Sequence, residues 1–332
     1  MPLILLIIKI YIKILISKVY KLTMKILAIQ NRMGIGDTVI YLPYIKAISE
    51  KFNTPISILV KENSKADQYL NHTKYIDKII YLKRGGGKNN RHDGLIGAFK
   101  LAKDLKQHKF DKVFIFNSSL RFNLISRLAD IKKIYQYPLF YKKNQHVTYP
   151  AKKLIKYSLD VEVDKNPEIQ IDEQTVKNAN SKFNMFNFEH NILLAIGGSG
   201  PTKRIPAKTF LSFMEKINKI KNCKFYLATG KSENEQEILN EILNSGFKNK
   251  CVALDDFSIS EILPIIKNCN ISVCNDTSFS HLSSALGIKT ITLMADTPLI
   301  YGSYSTNMYP IIPDGETTVS HRTSGKDRIN PD

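Results

Sequence analysis

The chain has no tryptophan, only four cysteines among 332 residues, and no long apolar run free of charge. Each scarcity excludes something. Cys223, Cys251, Cys269 and Cys274 all lie in the second half, form no C-x-x-C pair and have no histidine at metal-ligand spacing. A disulfide framework and a zinc site are therefore not expected, and the thiols read as reduced, cytoplasmic and packed in a core. The most apolar stretch, MPLILLIIKIYIKILISKVYKLT at residues 1–23, is broken by Lys9, Lys13, Lys18 and Lys21, whereas a spanning helix needs about 20 predominantly apolar residues. It also lacks the charge-first order and small-residue cleavage site of a secretory signal. The four lysines do not share one helical face, and because Met24 begins a convincing first strand the simplest reading is a segment upstream of the natural start or appended and poorly ordered. A membrane-surface anchor is its rival.

Acidic residues are scarce as well, 30 against 48 basic ones, and the deficit is local. Residues 24–172 carry 27 Lys and Arg against 14 Asp and Glu, while residues 173–332 carry 17 against 16. The first region should face an anionic surface or substrate, and the second need not. Nucleic acid is disfavoured, since no recognised binding module or aromatic RNA-binding pattern is present. The length suits two domains, drawn at 24–172 and 173–332 behind the extension 1–23.

Strand and helix patterns alternate in both regions, which predicts parallel α/β sheets. The first region reads as strand Lys25 to Gln30, helix from Thr38 to Lys51, strand Ile56 to Val60, a helical piece at Lys65 to Asn71 and strand Lys78 to Leu82. Helix Leu95 to Gln107, strand Lys112 to Phe116, helix Arg121 to Ala129, strand Lys133 to Tyr137 and helix Tyr149 to Leu159 complete it. VEVDKNPEIQID reads as an exposed connection, and a second series starts at Asn191. Its helices are expected at Ala207 to Ile220, Glu233 to Asn244, Ile259 to Lys267 behind the capping box Ser258/Glu261, and after Thr277.

Several strand-to-helix mouths carry candidate chemistry. Gly34, Gly36 and Asp37 follow the first strand, where glycines allow close backbone approach and helix N–H groups are unpaired. Asp37 could instead cap the helix that follows. The G-x-G is not a dinucleotide fingerprint, because the third glycine would fall at Val39. The basic, glycine-rich stretch Arg84 to Gly94, with Arg84, Lys88 and Arg91, reads as a mobile loop able to close over an anionic acceptor or as a plain linker. Gly197, Gly198, Ser199 and Gly200 precede Lys203 and Arg204, a pattern suited to a diphosphate. Asp276 and Thr277 open the helix that carries His281, either as a phosphate site or as a simple cap. Glu233, after Gly230, is placed to take ribose hydroxyls. No D-x-D metal pair occurs; Asp255 and Asp256 read as loop residues.

Three segments, MKILAIQNRMGIGDTVIYLPYIKAI, IGGSGPTKRIPAKTF and VCNDTSFSHLSSALGIKTITL, resemble glycosyltransferase family 9 in order and spacing, from Met24 to about Pro313. These are the ADP-heptose:lipopolysaccharide heptosyltransferases and their relatives. The resemblance implies a GT-B architecture, two Rossmann-like domains facing a cleft, with the acceptor on the first and the nucleotide sugar on the second. It implies inverting transfer without a metal or other cofactor, Asp37 as general base and Lys203 against the departing diphosphate. Gly198, Ser199, Arg204, Glu233, Asp276, Thr277, Ser278 and His281 would line the donor site, and Gly34, Gly36, Arg84, Lys88 and Arg91 the acceptor side. ADP-heptose is the implied donor, and an anionic glycolipid of lipopolysaccharide or a related envelope glycan the implied acceptor, at the cytoplasmic face of the inner membrane. Ser278 and Ile205 depart from the glycine and tryptophan common in the family, and a late C-terminal helix is not evident before the chain stops at INPD. A sugar-nucleotide epimerase and a non-catalytic nucleotide-sugar-binding relative are the alternatives.

Overall fold

The computed structural model describes residues 24–32, 34–85, 90–139, 146–164, 166–294 and 304–312. The extension 1–23, Lys88 and the chain beyond residue 312 lie outside them. The first sheet is built from β1 (Ile26–Ile29), β2 (Ile56–Lys61), β3 (Ile76–Leu82), β4 (Lys112–Ile115) and β5 (Lys133–Gln136), all parallel, in the order β3-β2-β1-β4-β5. ILAI of β1 is buried on both faces, as an uninterrupted apolar run in a covered parallel sheet must be. Four helices pack on it: α1 (Ile35–Phe52), α2 (Gly94–Lys106), α3 (Leu120–Leu128) and α4 (Thr148–Leu159).

The second sheet has β6 (His190–Ala195), β7 (Cys223–Ala228), β8 (Cys251–Ala253), β9 (Ile271–Asn275), β10 (Thr290–Leu293) and β11 (Met308–Ile311) in the order β11-β10-β9-β6-β7-β8. Its helices are α5 (Glu173–Lys182), α6 (Ala207–Asn218), α7 (Glu233–Leu243), α8 (Ile259–Lys267) and α9 (Ser278–Ala285). Both sheets reverse their strand order beside their first strand, at β1/β4 and β6/β9. Such a reversal opens a crevice at the carboxyl ends of the strands. Two parallel-sheet α/β domains of this kind are the GT-B architecture.

Four details differ from the sequence reading. Helix α1 begins at Ile35, with Gly34 at its N-cap, so Asp37 is a first-turn residue and caps nothing. The helical piece expected at Lys65 to Asn71 is two 3-10 turns, Glu62–Ser64 and Ala66–Gln68, separated by Lys65 in the left-handed region. Helix α5 and strand β11 are elements the patterns did not reveal. The connection expected to be exposed is partly buried at Pro167 and Ile169 and tied to both domains. The Ile169 amide donates to the Ala285 carbonyl at 3.0 Å, the Tyr75 hydroxyl donates to the Glu168 carbonyl at 2.6 Å, and Lys46 pairs with the Glu168 carboxylate.

One buried apolar cluster runs through both domains, from Ile40, Tyr41 and Tyr44 on α1 to Leu282 and Ala285 on α9 and Tyr304. Helix α1 is therefore packed against α4 at home and α9 across the interface. Cys223, Cys269 and Cys274 are buried, Cys251 is half-buried, and all four are free thiols. Among the described residues no helix is long and apolar enough to cross a membrane.

Candidate functional site

The carboxyl ends of β6, β7 and β9 meet at one cleft of about 490 Å³. The Asn275 side-chain amide, at the end of β9, donates to the carbonyls of Ile196 at 2.8 Å and Gly197 at 3.1 Å. That crosslink sets the glycine loop after β6. A Cβ on Gly198 would lie 2.2 Å from the Lys203 carbonyl oxygen, so the loop folds back on the basic pair only because position 198 lacks a side chain. The Arg204 guanidinium donates to the Gly198 carbonyl at 3.1 Å, and Lys203 Nζ donates to the buried Asp276 carboxylate at 2.6 Å. Gly198, Lys203, Arg204 and Asp276, far apart in sequence, thus form one group. Ser199, Thr277 and Ser278 line the same cleft.

Thr277 is the N-cap of α9 but makes no side-chain cap bond, so its hydroxyl is buried without a partner, as is that of Thr229 across the cleft. Buried polar atoms ordinarily have partners, and two orphaned hydroxyls beside the open amides of a helix start are fitted to an anionic guest. The far wall is apolar: Leu254, Phe257, Ile259, Ile262 and Phe279, with Ile35 from the first domain. Such a wall suits a planar ring.

Glu233 stands exposed at the first position of α7, outside the cleft lining, whereas Glu235 lies in it. Glu235 accepts from the Gly198 amide at 2.9 Å, the Gly230 amide at 3.3 Å and the Ser232 hydroxyl at 2.6 Å. The S-x-x-E spacing of Ser232 and Glu235 was the available signal, the same one that marks Ser258 and Glu261 as a capping box. Lys65, from the first domain, also lines the cleft. Its lysine-rich neighbourhood gave no reason to single it out.

The first domain contributes the turn after β1. Gly34 has φ +99°, a conformation side chains resist, and the Gln30 amide donates to the Asp37 carbonyl at 3.0 Å. Arg32 lies 3.9 Å from the Asp37 carboxylate. Burial nevertheless dominates, pushing the Asp37 carboxyl up from 3.8 to about 6 despite the opposing positive charges of Arg32, Lys203 and Lys61. Asp37 is thus close enough to the second domain for Lys203 to act on it.

Gly36 and His281 meet across the interface. A Cβ on Gly36 would sit 2.4 Å from His281 Cδ2, so the imidazole occupies the space a side chain would need. Tyr304 stacks on the same ring, with centroids 5.5 Å apart, and its hydroxyl is 2.7 Å from Nδ1. Burial drops the His281 pKa to about 4, so the ring is neutral near pH 7. Neutral, wedged and buried, His281 is one of the contacts that seat the two domains.

The basic loop is spoken for at its base. Arg84 pairs with Asp93 at 3.3 Å, and Arg91 grips Asp104 with a bidentate contact whose shorter arm is 2.7 Å. Neither arginine lines the cleft, and Lys88 lies outside the described residues. Among the described residues no group of three or more His, Cys, Asp or Glu could hold a metal ion.

A lipopolysaccharide heptosyltransferase 1 from Campylobacter coli is 23% identical over 319 residues, covering 87% of this chain and 90% of the relative. A family 9 glycosyltransferase from Veillonella parvula superposes with a TM-score of 0.72 at 16% identity, covering 88% and 86% of the two chains. The E. coli ADP-heptose lipopolysaccharide heptosyltransferase II gives 0.67 at 17%, covering 87% and 90%. An E. coli heptosyltransferase solved with ADP gives 0.63 at 18%, covering 87% and 93%. At these identities the superpositions speak to the shared GT-B fold. The family model of the heptosyltransferases matches residues 98–318, and on that match the chain belongs to glycosyltransferase family 9.

Proposed function

We propose that this enzyme transfers a heptose or related sugar from ADP-heptose to a lipopolysaccharide core or other cell-envelope glycan, with inversion and without a metal. The carrying observation is the meeting of two unlike halves: a carboxylate with its pKa raised to about 6 on one domain, and on the other a cleft with unpaired hydroxyls whose Asp276 and Gly198 are held by Lys203 and Arg204. In this reading the acceptor hydroxyl gives its proton to Asp37 as its oxygen bonds to the anomeric carbon. The bond from that carbon to the diphosphate breaks, and its electron pair leaves on the phosphate oxygen. A base with a pKa near 6 is ionised at neutral pH yet basic enough to share a proton in the transition state. Lys203, Arg204 and the amides at the start of α9 face the developing negative charge, where preorganised donors are most effective. In this reading Glu235, which lines the cleft, meets the ribose hydroxyls, and the apolar wall takes the base. The basic first domain suits an anionic glycolipid.

Calorimetric titration without added metal, using ADP, ADP-heptose, UDP, GDP and NAD, tests the donor. Selective binding of ADP and ADP-heptose is expected; preference for UDP or GDP would keep the transferase and replace its donor. Asp37→Asn tests the base. Turnover should fall by about 10²- to 10⁴-fold with ADP affinity unchanged, and a variant of full activity would end the assignment.

A further inference from the structure

The outward faces of α2 and α3 break the usual rule that a surface helix turns polar residues to water. On α2, Leu95, Ile96 and Phe99 are 81%, 72% and 62% exposed, opposite the buried face of Gly97, Leu101, Ala102 and Leu105. On α3, Leu120, Leu124 and Leu128 form an i, i+4, i+8 stripe, each 42–50% exposed. The two helices are neighbours. Arg121 joins their N-terminal ends by donating to the carbonyls of His92 at 2.6 Å and Gly94 at 2.7 Å. Six large apolar side chains thus stand exposed on two adjacent helices, a concentration of the kind that marks an interaction surface.

The charge around it selects the partner. Residues 94–128 hold seven Lys and Arg against two Asp. Lys100 and Lys103 stand exposed one turn beyond Ile96 and Phe99 on the same outward face. A second copy of the chain would bring two positive rims together, which disfavours a symmetric dimer through this face. An anionic bilayer satisfies both features, since apolar tips enter the interface while lysines meet the headgroups. The helix starts point to the carboxyl-end edge of the first sheet, the edge that also carries Asp37 after β1. We propose that the α2–α3 face docks the first domain on an anionic phospholipid membrane, through Leu95, Ile96 and Phe99 with Leu120, Leu124 and Leu128. Binding itself stands on the patch alone. Its consequence, that a membrane-held acceptor is presented at the Asp37 edge, rests on the proposed transfer.

The test uses the full chain in co-sedimentation with vesicles of phosphatidylglycerol and phosphatidylethanolamine, against phosphatidylcholine vesicles. Binding should favour the anionic vesicles and weaken with salt. The combined substitution Leu95→Ser, Ile96→Ser, Phe99→Ser, all at exposed positions, should lower vesicle affinity by at least about tenfold. Lys100→Glu with Lys103→Glu should abolish the preference for anionic lipid. Undiminished binding by the triple variant, as when residues 1–23 alone hold the membrane, overturns the proposal, and so does conversion of a dimer to a monomer with no change in vesicle binding. Turnover on a deacylated, water-soluble acceptor separates the two readings. The triple variant should retain it, whereas a parent chain that binds vesicles but transfers no sugar loses the proposed function and keeps the docking face.

Discussion

The two domains share one strand order around their first strand, yet their crevices are furnished differently. The second gathers its chemistry from three neighbouring strand ends, with Asn275 bonded to the Ile196 and Gly197 carbonyls, Arg204 to the Gly198 carbonyl and Lys203 to Asp276. The first offers a single turn and a single carboxylate, Asp37, desolvated rather than paired closely. A tight network holds a guest in one place, whereas a buried carboxylate with a raised pKa is poised to take a proton. The surfaces differ in the same sense: basic and apolar on the first domain, nearly neutral on the second.

On the second domain's side of this comparison the largest effect comes from Lys203→Ala. It leaves Asp276 buried without its cation and, on the proposed reading, removes charge facing the leaving group, so turnover should fall by about 10²- to 10³-fold and ADP affinity should drop with it. Were ADP affinity untouched in calorimetry, the second domain's network would not be a phosphate site. Next is the seam. Gly36→Ala forces a Cβ against His281, which is backed by Tyr304, and overpacking of this kind costs about 1–3 kcal/mol. Thermal melts should show it, and a Gly36→Ala protein as stable as its parent would mean the interface opens freely.

The pH response sharpens the contrast further. Protonated Asp37 adds stability that is fully present below about 3.8 and is lost as pH rises through about 6. Relative to Asp37→Asn, the parent should therefore lose about 3 kcal/mol of stability between those limits. Denaturant melts across the range check this, and a constant difference would show Asp37 is not desolvated. The acid limb of kcat/KM should break near pH 6, as expected for an essential base with that pKa. The smallest effects distinguish two glutamates: Glu235→Gln should weaken donor binding and raise KM, while the exposed Glu233→Gln should change either by less than about 0.5 kcal/mol. Equal responses would remove Glu235 from the site.

The sequence exposed the glycine turns before Asp37 and Lys203 because glycine is demanded locally, by a φ of +99° at Gly34 or a 2.2 Å approach at Gly198. It did not single out the glutamate that lines the cleft, because both belong to the same turn of α7 and only the side-chain direction, set by the Gly198 and Gly230 amides, separates them. Tyr304 escaped for a similar reason, since its partner His281 is on another element 23 residues earlier. Helix α5 stayed hidden because its only buried residue is Ala179, which leaves no apolar stripe to read.

What the sequence determined by itself is the alternation of strands and helices, the positions of the glycine turns, the uneven charge and the motifs of the family, all written in short-range periodicity and backbone preference. Tertiary structure alone decided which glutamate lines the cleft, that His281 fills the space left by Gly36, and that Leu95, Ile96, Phe99, Leu120, Leu124 and Leu128 stand exposed on two neighbouring helices. Those outcomes depend on which distant strand ends are brought side by side, and contacts between them have no signature in the spacing of residues along the chain.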